Sequence, residues 1–94
     1  MNKKDILSRS FVPSDQAAES RVGDETVLLH LENGTYYGLD PIGTQIWEML
    51  KQGLALGAIC AVIAEQYGVG LGTIEADARR FLGDLEAHSI ILAG

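Results

Sequence analysis

The run VLLHLENGTYYGLDPIGTQIWEML, Val27 to Leu50, constrains the fold more than any other stretch. Val27, Leu29 and Leu31 alternate with Leu28, His30 and Glu32, the two-residue period of a strand. Asn33-Gly34 supplies the two positive-φ residues of a tight type I′ turn. Thr35-Tyr36-Tyr37-Gly38-Leu39 then returns as a second strand. Asp40 is placed to cap a helix, and Pro41 suits its first position, where a missing N–H costs nothing. The stretch therefore reads as a hairpin running into a capped helix. Its second strand is short and falls at a sheet edge, and an open edge is both a binding device and a hazard.

The flanking segments complete an architecture. Residues 1–15 read as a flexible N-terminal arm ending near Phe11-Val12-Pro13, apolar enough to dock on the body. Residues 16–94 read as one domain. Gln16 to Val22 alternates weakly and forms a first strand, and Gly23-Asp24-Glu25 turns it into the strand at Val27. The result is a three-stranded antiparallel meander. Three helices follow. The first spans about Pro41 to Gln52, with Ile42, Ile46, Trp47 and Leu50 on one side. The second spans about Leu56 to Tyr67, with Ile59, Cys60, Ile63 and Tyr67 inward. Gly68-Val69-Gly70 breaks it, and the third begins near Thr73, whose hydroxyl is placed to cap it. The core stripe of that helix is Ile74, Ala78, Phe81, Leu82 and Leu85, and Ile90-Ile91-Leu92 forms an extended tail. The fold class is α+β, a winged helix-turn-helix in which the wing precedes the helices.

Composition removes several function classes. A chain of 94 residues is one domain that buries roughly 60% of its unfolded surface. A net charge of −6 disfavours nucleic acid and anionic membranes, which reward lysine and arginine. The single cysteine, Cys60, lies among Ile59, Ala61, Val62 and Ile63, and reads as a small buried hydrophobe. It allows no internal disulfide and no thiolate metal cluster. No segment has the apolar run of a signal peptide or a membrane span, so the expected location is the cytoplasm.

Catalytic chemistry finds little support. His30 sits in a strand and His88 at a helix end, neither with a local partner at a useful spacing. Gly68-Val69-Gly70-Leu71-Gly72 lacks the lysine and upstream strand of a phosphate loop. The reading is of a non-enzyme with no catalytic residues, metal or cofactor. DNA recognition would use the third helix, but that helix carries Glu75, Asp77, Asp84 and Glu86 against only Arg79 and Arg80. Peptide recognition fits better. Ala76, Arg80, Gly83 and Ala87 follow at spacings of four, three and four, so they share one helix face where another backbone can approach and Arg80 can donate. If that face borders Thr35–Leu39, an extended peptide can add as a fourth strand. Tyr36 and Tyr37 point to opposite faces, so only one belongs to the core.

These residues carry a resemblance. The hydrophobic strand and turn, Gly38-Leu39-Asp40-Pro41, Gly43 followed by Trp47, and the closing Phe81-Leu82 and Leu85 resemble the PqqD-like family. Those domains are recognition elements for the precursors of ribosomally made, post-translationally modified peptides. The resemblance runs from about Thr26 to Leu92. It implies a non-catalytic domain that binds the leader of a precursor peptide along the third strand, against the third helix, and delivers it to modifying enzymes. Mapped on this chain, the peptide-binding residues are Thr35, Tyr36, Tyr37, Gly38, Leu39, Ala76, Arg79, Arg80, Gly83 and Ala87. Glu32-Asn33-Gly34 and Leu39-Asp40 depart from the Pro-Glu-Gly and Leu-Asn of the coenzyme PQQ branch, whose partner is a radical SAM enzyme. The Tyr-x-Gly-Leu pattern is closer to members that serve lasso peptides. There the implied partners are a leader peptidase of the transglutaminase-like cysteine protease type and an ATP-dependent cyclase. A radical SAM partner and a DNA-binding regulator remain the alternatives.

Overall fold

The computed structural model describes residues 6–94. Two hairpins set the sheet. Strands β2 (Ala17–Val22), β3 (Glu25–His30) and β4 (Tyr36–Leu39) form an antiparallel sheet in the order β2-β3-β4. Gly23 turns the first hairpin at φ 64°. Behind the sheet come α1 (Pro41–Lys51), α2 (Leu56–Tyr67) and α3 (Leu71–Ala87). The expected meander followed by three helices is therefore the observed α+β arrangement.

The second hairpin corrects one expectation. Asn33 does not take a positive φ; Gly34 alone does, at 75°. His30 N–H donates to Thr35 O at 2.9 Å, so the loop holds the four residues 31–34 rather than a two-residue type I′ turn. The cause is His30, which is buried. Its Nδ1 accepts the N–H groups of Glu32 at 3.2 Å and Asn33 at 3.3 Å. Asn33 Oδ1 takes Thr35 N–H at 2.9 Å. Side-chain acceptors for three loop N–H groups hold the wider turn.

Helix α1 begins as its sequence requires: Asp40 Oδ1 accepts Gly43 N–H at 2.7 Å, with Pro41 at the first position. Ile46, Trp47 and Leu50 are buried against Leu28 and Leu39, while Ile42 is only half-buried. The Trp47 indole N–H donates to Glu19 on β2 at 2.8 Å. Helix α2 buries Leu56, Ile59, Cys60 and Ile63. Tyr67, expected inward, is exposed and donates to Gln45 at 3.0 Å; its hydroxyl finds a partner only at the surface. Gly68 ends α2 in the left-handed conformation. The chain then re-enters a helix within two residues, so α3 starts at Leu71 with Gly70 as its cap and no side-chain cap bond. Thr73 lies inside the first turn and does not cap it.

The two ends of the described chain meet. Strand β1 (Phe11–Pro13) pairs antiparallel with β5 (Ile91–Ala93). Ser89, at φ 61°, reverses the chain after α3. Burial of Ile90 and Ile91 offsets the roughly 1–2 kcal/mol that a non-glycine residue costs there. The arm expected over residues 1–15 is thus corrected from Ile6 onward. Ile6–Ser8 form a 3₁₀ turn against α2, and Phe11 is buried with the Arg9 guanidinium over its ring at 4.8 Å. Arg9 also reaches Glu86 at 2.7 Å. An apolar Phe11 in a chain with a small core is worth more buried than free. Residues 1–5 lie outside the described residues.

Candidate functional site

Strand β4 pairs with β3 on one side and, among the described residues, with nothing on the other. Antiparallel ladder bonds alternate along a strand. His30 bonds Thr35, so the main-chain groups of Tyr37 and Leu39 also face β3. Those of Tyr36 and Gly38 face outward and are free to pair with an added strand. Thr35 is spent within the hairpin loop.

Beside this edge a groove of about 450 Å³ opens between the β4–α1 junction and α3. Gly38, Leu39, Asp40, Ile42, Gly43 and Ile46 form one wall, and Ile74, Asp77, Arg80 and Phe81 the other. Its floor is apolar: Leu39, Ile46 and Ile74 are buried, with half-buried Ile42 and Phe81 above them. At the rim, Arg80 Nη2 bonds Asp77 Oδ1 at 2.7 Å, both side chains being largely exposed. An exposed pair of that kind contributes little to stability, which leaves the guanidinium free to exchange partners. A Cβ at Gly43 would crowd the capping Asp40 Oδ1 at 3.2 Å and would stand in ordinary contact with Leu39 Cβ at 3.4 Å and Phe81 Cζ at 3.9 Å.

Beyond the groove, Tyr37 turns inward and meets the end of α3. Its ring stands edge-on to His88 with centroids 5.6 Å apart. Burial, and then the nearby Asp84, push the Tyr37 hydroxyl above its ordinary value. That hydroxyl is buried without a partner among the described residues. His88 Nδ1 lies 2.9 Å from Asp84 O at the helix end, where a ring N–H suits the dipole. Tyr36 points to the other face and is 69% exposed. Tyr37 is therefore the residue that packs on the core.

Of the ten residues expected to bind, the structure brings Gly38, Leu39 and Arg80 together in the groove, with Tyr36 on its edge. Ala76, Gly83 and Ala87 lie on the side of α3 away from Ile74, Ala78, Leu82 and Leu85, and do not line it. Arg79 is on the opposite flank, where it and Glu75 act on Cys60 of α2. The spacing that grouped the small residues with Arg80 is correct helical geometry, but that face is centred on solvent. The groove residues missed in the sequence are Asp40, Ile42, Gly43, Ile46, Ile74, Asp77 and Phe81. Four of these belong to the apolar stripes of α1 and α3. The usable signal is position: Phe81 and Ile42 sit at the margin of their stripes, where a core residue becomes a groove wall.

Nothing in the site resembles an activated nucleophile. Burial pushes the Cys60 thiol up, away from thiolate. No group of three or more His, Cys, Asp or Glu among the described residues is placed to hold a metal ion. No helix among them is long and apolar enough to cross a membrane.

Residues 25–91 match the family model of coenzyme PQQ synthesis protein D (PqqD). No curated protein matches the chain. Among solved structures, TbiB1 in complex with the TbiA(beta) leader peptide aligns with a TM-score of 0.78 and 39% sequence identity, over 85% of this chain and 93% of that one. A lasso peptide synthetase B1 complexed with the leader peptide aligns with a TM-score of 0.80, over 88% of this chain and 98% of that one. At 19% identity, the second likeness speaks for the fold alone.

Proposed function

Since the chain belongs to the PqqD family, we propose that it binds the leader of a ribosomally synthesised precursor peptide and presents the rest to modifying enzymes, without chemistry of its own. One observation carries the reading: the outward main-chain groups of Tyr36 and Gly38 border an apolar groove deep enough for side chains. The leader adds to β4 as a fourth strand. Every second side chain enters the groove between Ile42, Ile46, Ile74 and Phe81, and Arg80 meets a carboxylate at the rim. Ordering a disordered leader costs about 2–5 kcal/mol of the gross interaction. Main-chain pairing and one or two buried anchors offset that cost.

The Tyr-x-Gly-Leu pattern at Tyr36 to Leu39 favours the lasso peptide setting, and the 39% identity to TbiB1, whose structure holds a leader peptide, supports leader binding. In that setting the recipients are a leader peptidase and an ATP-dependent cyclase, and the protein works in the cytoplasm. Binding raises the effective concentration of the precursor at the enzyme.

The test is an anisotropy titration with the fluorescein-labelled TbiA(beta) leader peptide and, where a precursor gene neighbours the gene for this chain, with the labelled leader it encodes. Scrambled peptide and duplex DNA are controls. Saturation of either leader at micromolar concentration, lost on scrambling, is the expected result. Saturation by DNA with neither leader binding would replace this reading with a regulatory one.

A further inference from the structure

Gly38 is the only glycine in a described strand, and nothing inside the domain requires it. Its φ is not positive, so any L residue can adopt its backbone conformation. A Cβ built there would meet nothing within 4 Å, so packing does not exclude a side chain. Glycine in a strand interior costs stability, because it orders more chain and packs nothing. The remaining reason for a bare strand residue is a close approach from outside.

The register shows what surrounds the gap. Cross-strand partners share a face. Gly38 stands opposite Val27 and, beyond it, Ser20; Tyr36 stands opposite Leu29 and, beyond it, Ala18. These residues look outward, since Thr26, Leu28 and His30 are buried on the face that meets the helices. The row through Gly38 is therefore a notch beside the taller row through Tyr36. Its walls are apolar: Val27 and Leu29 are half-buried, and the Tyr36 ring stands 69% exposed. The notch opens at the β4 edge, on the face of the strand opposite the groove.

A strand added antiparallel to β4 places one residue directly opposite Gly38. The two exchange both main-chain bonds at a Cα separation of about 5.5 Å. The side chain of the added residue leaves on the outer face, with Gly38 and Val27. Opposite any other residue it would meet a Cβ and stand upright. Opposite Gly38 it can lie flat across the strand toward Val27. Tyr36 is its diagonal neighbour, about 7–8 Å away and within reach of a ring. An aromatic side chain fills such a gap best, because its flat face covers the bare main chain and its edge meets the Tyr36 ring. A carboxylate in the same place would be repelled by a chain of net charge −6.

We propose that Gly38 is a specificity-determining residue, selecting leaders that carry an aromatic side chain at the position paired with it, laid across β4 against Val27 and Tyr36. The proposal rests on the peptide-binding reading and deepens it: the leader is read on both faces of the added strand, by the groove on one and by this notch on the other.

The variants Gly38→Ala and Gly38→Val fill the notch from the domain side. Since the Cβ has room and valine favours a strand, both are expected to melt at or above the wild-type temperature. Leader affinity by anisotropy is expected to fall about threefold for alanine and about tenfold for valine. A merely structural glycine would move stability and affinity in the same direction. An alanine scan of the labelled TbiA(beta) leader then finds the paired residue. Truncating one aromatic residue costs about tenfold with wild type but about twofold or less with Gly38→Val, while other truncations cost the same with both. Exchanging that residue for another aromatic retains binding. The proposal is overturned if Gly38→Val binds the leader as tightly as wild type, or if its loss is coupled to no single aromatic residue of the leader. Wild-type binding that Gly38→Val leaves intact rejects the notch alone, whereas a wild-type domain that binds no leader rejects the peptide reading and the notch with it.

Discussion

The two edges of the one sheet are treated in opposite ways. On β2 the outward main-chain groups belong to Ala17, Glu19 and Arg21, by the register with β3. Glu19 is held by Trp47 at 2.8 Å and Lys51 at 2.9 Å, and Arg21 by Glu48 at 3.3 Å. An incoming strand would have to part these charges from their partners on α1. On β4 the outward groups belong to Tyr36 and Gly38, neither charged, and a Cβ at Gly38 would meet nothing within 4 Å. Hydrogen-bonding capacity does not favour β4, which turns two residues outward against three on β2. Side chains decide which edge accepts a strand, the usual device against unwanted pairing, here applied to one edge and withheld from the other.

Proline tests that asymmetry most severely. Gly38→Pro or Tyr36→Pro removes an outward N–H and puts ring carbons where the peptide carbonyl would sit. We expect leader affinity to fall about thirtyfold, roughly 2 kcal/mol for one lost main-chain bond with the added crowding. Arg21→Pro removes an equivalent N–H from the β2 edge and is expected to leave affinity within about twofold. Tyr37→Pro deletes a group that faces β3, so it should cost folding before binding, visible as a lowered melting temperature. Equal affinity losses at Gly38 and Arg21 would mean that the peptide does not distinguish the edges.

A smaller effect sharpens the position of the groove on α3. Phe81→Ala removes a half-buried ring from its wall, and we expect affinity to drop about tenfold, the scale of a single apolar anchor. Gly83→Leu projects a larger side chain from the far side of the same helix, where a Cβ meets nothing within 4 Å. It should leave affinity unchanged and raise stability by about 0.5–1 kcal/mol, because a helical glycine is replaced by a better helix former. Loss of binding in Gly83→Leu with Phe81→Ala unaffected would move the site to the opposite flank.

Why the sequence places β4 and α1 well and the groove residues less well follows from the kind of signal each leaves. Asp40-Pro41 is a local start signal, and its cap bond is found as expected at 2.7 Å. The apolar alternation at Val27 to Leu31 identifies a strand but not which face meets the helices. The structure gives Leu28 and His30 to the core and leaves Val27, Leu29 and Leu31 outward. Both sets are partly apolar, and only the helices, distant in sequence, choose between them. The same holds for α3. Its core stripe is local and legible, but the flank that becomes a groove is fixed by where β4 ends relative to Phe81. His30 is the clearest case of a role without a sequence signature, since one ring nitrogen taking two loop N–H groups widens a turn that Asn33-Gly34 would otherwise close tightly.

The closed edge makes the smallest prediction, one that concerns stability and not binding. Partial burial works to raise the Glu19 carboxyl. The Trp47 and Lys51 hydrogen bonds, with the Lys51 and Arg21 charges, outweigh it and hold the group below the usual carboxylate range. A carboxyl depressed in the folded state adds stability that is fully present above its unfolded value, about 4.3, and is lost as pH falls through the folded one. Glu19→Gln keeps an oxygen for the Trp47 N–H but removes the charge. With Glu19 and Lys51 each about one-third exposed, solvent limits the cost at pH 7 to about 0.5–1 kcal/mol, a few degrees in the melting temperature of a domain this size. Melts from pH 7 to pH 3 should show the variant and wild type converging as the wild-type carboxyl takes up its proton, with leader affinity at pH 7 the same for both. A constant gap across that range would assign Glu19 a purely neutral hydrogen-bonding role, and the β2 edge would then be closed by shape rather than by charge.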